Sequence, residues 1–127
     1  MPASYDYDTK YEPPAPTIPV GLSRSGETSA SQEIVALVDT GADATMLPVD
    51  VLKSAKTRYV QQRLMRGVMG EPTTVNLYLA AIHVAGHVIH GNRAIARPEG
   101  SEAIIGRDVL NQLEITLNGP AHEVWIA

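Results

Sequence analysis

Apolar positions along the chain fall into short runs, alternating or continuous, separated by glycine, proline and polar clusters. That is the pattern of a mainly β chain. Ile18, Val20 and Leu22 alternate with other residues and predict a half-buried strand from Thr17. Ser23 to Gln32 is polar, carries Gly26 and reads as a hairpin loop. Ile34 to Val38 is a continuous apolar run, which predicts a strand buried on both faces; it stops at Asp39-Thr40-Gly41. Thr45 to Leu47 predicts a further short strand. Pro48 fits the first position of a helix reaching about Ala55, since proline lacks only a donor that is spare there.

Arg58 to Met65 and Thr73 to Ala85 predict two strands joined around Gly67-Val68-Met69-Gly70. Val75, Leu77 and Leu79 keep one face. The phase then shifts near Ala80 and Ala81 to Ile82 and Val84, which a bulge would cause. His87 to Ala96 predicts another strand, and Ala103 to Ile105 a short buried one ending at Gly106. Asp108 is placed to cap a helix from Val109 to Leu113. Ile115 to Leu117 and Val124 to Ile126 predict a closing hairpin around Asn118-Gly119. Residues 1–16 carry Pro13, Pro14 and Pro16, which forbid regular helix, and read as an extended N-terminal arm, mobile unless docked. Residues 17–127 form the domain. The class is all-β with one or two short helices.

Composition narrows this picture. The 127 residues are 44% hydrophobic, with one Trp and no Phe, so Val, Ile, Leu and Ala must fill the core. The net charge of -4 and the lack of a basic patch argue against nucleic acid as a partner. Tyr5, Tyr7 and Tyr11 suit a docking or solvated tail better than a base-stacking platform, given the acidic balance. With no Cys, disulfides, thiol nucleophiles and Cys-ligated zinc are excluded. His83, His87 and His90 are scattered by strand geometry, so no metal or other cofactor is expected. The N-terminus lacks a basic and apolar leader, and no stretch reaches membrane-spanning length. The expectation is a cytoplasmic protein without a membrane partner.

Asp39 is the chemically pointed residue. A carboxylate directly after an apolar strand is costly unless it is paired or used. Thr40 can hydrogen-bond locally, and Gly41 allows close backbone approach. Alone, Asp-[Ser/Thr]-Gly arises by chance in about one chain in twenty of this length, and its bland reading is a turn closing a strand.

Val35 to Asp43 resembles the active-site segment of the retropepsins, the retroviral-type aspartic proteases. Ala103-Ile-Ile-Gly-Arg-Asp-Val-Leu110 resembles their second signature, and Gly67 to Gly70 lies where that family has its flap tip. The three motifs agree in order and spacing from about Thr17 to Leu117. The resemblance implies a closed, barrel-like acid-protease fold with a flap hairpin, active as a two-fold dimer. It implies peptide-bond hydrolysis by a water held between two carboxylates that share one proton. The chain holds one Asp-Thr-Gly and is short for a two-lobed enzyme, so a homodimer is expected, with Asp39 beside its symmetry mate.

By the same resemblance, Asp39, Thr40 and Gly41 form the catalytic loop, Thr40 linking the two loops and Gly41 offering its carbonyl to a peptide or protein substrate. Ala42 stands where pepsin-like relatives often carry a hydroxyl that lowers the carboxylate pKa, which implies a weakly acidic rather than strongly acidic optimum. Asp43 and Arg107 match an intrachain ion pair. Leu37, Met46, Met65, Val68 and Ile104 are implied pocket walls, and Gly67, Val68 and Met69 the flap contacts. Glu102 near the cleft implies a basic or polar substrate residue. Trp125, on a final strand beyond the usual viral end, is an expected interface anchor. A silent dimeric peptide-binding module with the same fold, and a narrow maturation protease, remain alternatives.

Overall fold

The computed structural model describes residues 2–66 and 69–127; Gly67 and Val68 of the expected flap tip lie outside the described residues. In chain order the elements are β1 (Ala3–Asp6), β2 (Thr17–Arg24), β3 (Gln32–Val38), β4 (Met46–Pro48), α1 (Val49–Ser54), β5 (Arg58–Arg66), β6 (Pro72–Val84) and β7 (His87–Arg97). They continue with β8 (Ala103–Ile105), α2 (Arg107–Leu110), β9 (Ile115–Asn118) and β10 (Glu123–Ile126). Seven strands run in the order β2-β3-β8-β4-β7-β6-β5, and a further β2–β6 pairing closes six of them into a barrel. β5 is left as an outer strand on β6, forming a long hairpin. The remaining strands form a small sheet, β1-β10-β9.

Alternation decides which side chains fill the barrel. Ile18, Leu22, Leu47, Ile82 and Ile105 are fully enclosed, an aliphatic core that needs no phenylalanine. Leu52 of α1 and Val109 of α2 join it. Residues paired directly across strands face the same side. Leu37 pairs with Ile104, Ile104 with Met46, Met46 with Ile95 and Ile95 with Leu77. Their neighbours Ala36, Ile105, Leu47 and Ala94 belong to the barrel core, so this row lies on the outer face. It begins two residues before Asp39.

The phase shift expected near Ala80 is a break in the β6–β7 register between Ala80 and Ile82. The N-terminal arm is docked: β1 pairs with β10, Tyr7 stacks on His122 at 5.4 Å, and the Tyr7 N–H donates to the His122 carbonyl. Two expectations are corrected. The run ending in Val38 is not buried on both faces throughout, because Val35 is 60% exposed; the strand is enclosed only where β2 and β8 flank it together, from Ala36 onward. The second helix runs from Arg107 to Leu110, with Gly106 at its N-cap and no side-chain cap, so Asp108 lies inside the first turn rather than before it.

Candidate active site

β3 and β4 follow each other in the chain but do not pair. β8 is inserted between them, parallel to β3 with Val38 opposite Ile105. The loop from Asp39 to Thr45 must therefore cross the end of β8, which brings Asp39 and its neighbours against Gly106. The Asp39 N–H donates to the Ile105 carbonyl at 3.0 Å, extending the strand pairing by one bond. The chain then turns: the Ala42 N–H donates to the Asp39 carbonyl at 3.2 Å, and the Gly41 N–H to Asp39 Oδ1 at 2.9 Å. A Cβ on residue 41 would lie 3.3 Å from that oxygen, so glycine leaves the carboxylate its place. Asp39 is half-buried while Thr40 and Gly41 are exposed. The loop thus presents a carboxylate, oriented by a backbone donor, at an open surface.

The second signature holds this loop from behind. The Arg107 N–H donates to the Ala42 carbonyl at 2.9 Å, and Arg107 Nη1 donates to the Thr40 carbonyl at 2.8 Å. Arg107 Nη2 pairs with Asp43 Oδ1, which brings the two residues of the expected ion pair together. Asp108, read from sequence as a cap, is instead a hub. Its carboxylate accepts from the Thr45 N–H (3.0 Å), Thr45 Oγ1 (2.8 Å), Asn92 Nδ2 (3.0 Å) and the Val109 N–H (2.9 Å). Thr45 Oγ1 in turn accepts from the buried Gly106 N–H at 3.2 Å. Loop, helix and β7 are therefore tied at one point.

The chain that builds this loop, anchored by a Gly-Arg signature at the end of a parallel strand pair, matches along residues 28–112 a family described as "gag-polyprotein putative aspartyl protease". The chain belongs to this family. Among solved structures, EIAV protease complexed with the inhibitor HBY-793 matches this chain with a TM-score of 0.59 and 25% identity, over 77% of this chain and 86% of that one. A retropepsin-like aspartic protease from Rickettsia conorii matches with a TM-score of 0.67 over 99% and 90% of the two chains, at 8% identity, a likeness of fold alone. No curated protein sequence matches. The fold is retropepsin-like.

The other residues singled out in this family member fall in two groups. Leu37, Met46 and Ile104 share the outer row next to Asp39 and are half-buried. Met46 and Met65 also line a cavity of about 550 Å³ between the β5–β6 hairpin and β7, which Leu37 and Ile104 do not reach. Met69 is 87% exposed. The Glu102 carboxylate accepts from the Tyr11 hydroxyl, a contact no local pattern signals. That bond, then burial and the charges of Glu102 and Asp8, push the Tyr11 pKa up to about 12. The three histidines diverge: His83 Nε2 meets Ser23 Oγ at 2.8 Å, His90 Nδ1 accepts from the Gly26 N–H, and His87 Nε2 reaches the Ala127 carbonyl.

Proposed function

We propose that the chain is an aspartic endopeptidase that acts as a two-fold homodimer. The observation that carries this reading is the Asp39 carboxylate, oriented by the Gly41 N–H on an exposed loop and set at the start of an outward apolar row. Each chain contributes one such carboxylate, and the chemistry takes two. In the dimer the two Asp39 side chains share a proton, because adjacent like charges do not both ionise cheaply. The ionised Asp39 removes a proton from a water molecule lying between the pair, while the protonated Asp39 hydrogen-bonds the scissile carbonyl oxygen. The hydroxide equivalent attacks the carbonyl carbon and forms a tetrahedral intermediate without a covalent link to the protein. Proton transfer to the amide nitrogen lets the C–N bond break, releasing a carboxylic acid and an amine.

Arg107 acts as a positioning residue through the Thr40 carbonyl and Asp43. The β5–β6 hairpin serves as the flap, excluding water and pairing with an extended peptide as an added strand. Trp125, 43% exposed on β10, is available to the partner subunit, since Val124 and Ile126 on either side of it point into the core.

The test is cleavage of a diverse peptide pool by purified protein at several pH values, beside Asp39→Asn, with molar mass measured by light scattering. Dimeric protein whose cleavage disappears in Asp39→Asn supports the reading. Monomeric protein, or cleavage that survives the substitution, refutes it. A stable dimer that cleaves nothing points to the silent binding module.

A further inference from the structure

The β5–β6–β7 sheet continues the outer row that starts near Asp39, and its register gathers cations around an apolar floor. Arg63 lies opposite Val75, Leu77 opposite Ile95, and Arg93 opposite Leu79. Opposed residues share a face, and so do residues two apart along a strand. Arg63, Val75, Leu77, Arg93 and Ile95 therefore present to one side, together with Met65. They line a cavity of about 340 Å³, and its rim is completed by Asp43 and Ala44 of the active-site loop and by Leu64 and Arg66, which alternate to the other face of β5.

The charges around this cavity do not balance. Two arginines on its face, Arg63 and Arg93, stand against one carboxylate, Asp43, which already pairs with Arg107. Among the described residues no carboxylate pairs with Arg63, Arg66 or Arg93. A lysine or arginine of a bound peptide would be repelled here. A purely aliphatic side chain would cover the floor and leave the cations unmatched. An acidic side chain satisfies both parts, its methylene on Val75, Leu77 and Ile95 and its carboxylate between planar guanidiniums that bind it through two parallel hydrogen bonds.

The geometry points to a substrate subsite that selects glutamate or aspartate at a fixed distance from the scissile bond. This rests on the peptidase reading above and deepens it by naming the substrate class. A two-fold dimer would present one such cavity from each protomer, so the preference appears on both sides of the cleaved bond.

The test uses peptides identical except for one Glu or Gln, moved stepwise along the sequence. Their affinity for the Asp39→Asn chain, which keeps the cavity, is measured by fluorescence anisotropy at low and high salt, and their cleavage by the unsubstituted chain is measured in parallel. At one register the Glu peptide should bind about tenfold tighter than its Gln twin, the size expected of a charge-assisted contact. That advantage should shrink with added salt, fall to about unity in Arg63→Gln/Arg93→Gln, and turn toward a Lys peptide in Arg93→Glu. Equal binding of Glu and Gln peptides at every register, including no binding at all, overturns the subsite. So does a Glu preference that survives the double substitution. Glu-selective binding without cleavage leaves the subsite standing and removes the peptidase reading, whereas cleavage without Glu selectivity does the reverse.

Discussion

Gly106 offers the sharpest test of how the active-site loop is held. Its backbone is extended, with φ -97° and ψ -175°, which any residue can adopt. The demand for glycine is therefore steric, not torsional. A Cβ there would lie 2.6 Å from the Ala44 carbonyl oxygen, 2.7 Å from its carbon and 2.9 Å from the Ala42 oxygen. All three are backbone atoms that cannot rotate aside. Ordinary contact begins at 3.4 Å, so Gly106→Ala must displace the loop or β8 by nearly the difference from 2.6 Å. That movement stretches the Arg107 N–H bond to Ala42 and the Gly106 N–H bond to Thr45 Oγ1. Overpacking costs about 1–3 kcal/mol, and each weakened hydrogen bond about 1 kcal/mol. A total loss of about 3–5 kcal/mol is expected, read as a fall of about 1.5–2.5 M in the urea midpoint for a slope of about 2 kcal/mol per M. Protein concentration is held fixed, because association adds to apparent stability. Gly119→Ala is the control: nothing lies within 4 Å of its added Cβ, and its midpoint should stay where it was. A Gly106→Ala chain within about 0.5 kcal/mol of the parent would show that β8 does not clamp the loop.

Three further outcomes follow from the same framework. Asp108→Ala leaves the Thr45 N–H and Asn92 Nδ2 without their acceptor and should cost about 2–4 kcal/mol in chemical denaturation, with Asp108→Asn recovering part of the loss. Arg107→Lys should change stability by less than about 1 kcal/mol, because an exposed ion pair contributes little. It should nevertheless lower peptide cleavage about tenfold or more, because lysine lacks the planar fork that reaches both Asp43 and the Thr40 carbonyl; an unchanged kcat/KM would refute the positioning role. Burial, and then the nearby charge of His90, hold the His83 pKa below the ordinary 6.5. Its neutral form is thus favoured by folding, and the stability this contributes is complete above the ordinary value and drains away as pH falls below it. The thermal midpoint of His83→Gln should therefore fall less steeply than the parent's between about pH 7 and about pH 5.

Local pattern made much of the fold readable. The apolar run into Asp39, the proline before α1, the phase break near Ala80 and the Gly-Arg signature are all encoded within a few residues. Features that depend on distant partners were not. Asp108 looks like a cap when only its neighbours are considered, yet Thr45 is 63 residues away and Asn92 is 16. Tyr11 and Glu102, 91 residues apart, carry no mutual signal. Val35 reads as core because hydropathy reports the residue type and not where the neighbouring strand ends. Arg63 and Arg93, 30 residues apart, share a face only because the register of three strands brings them around one cavity.

The small sheet that gathers both chain ends has a consequence for handling the protein. β10 is the middle strand there only because Ala3–Asp6 lies along one side of it. Trimming those residues would leave β10 as an open border with a row of unsatisfied amides and carbonyls, beside an exposed tryptophan. A shortened chain should then recruit strands from its own copies, and tags are better attached beyond an intact β1 than in place of it.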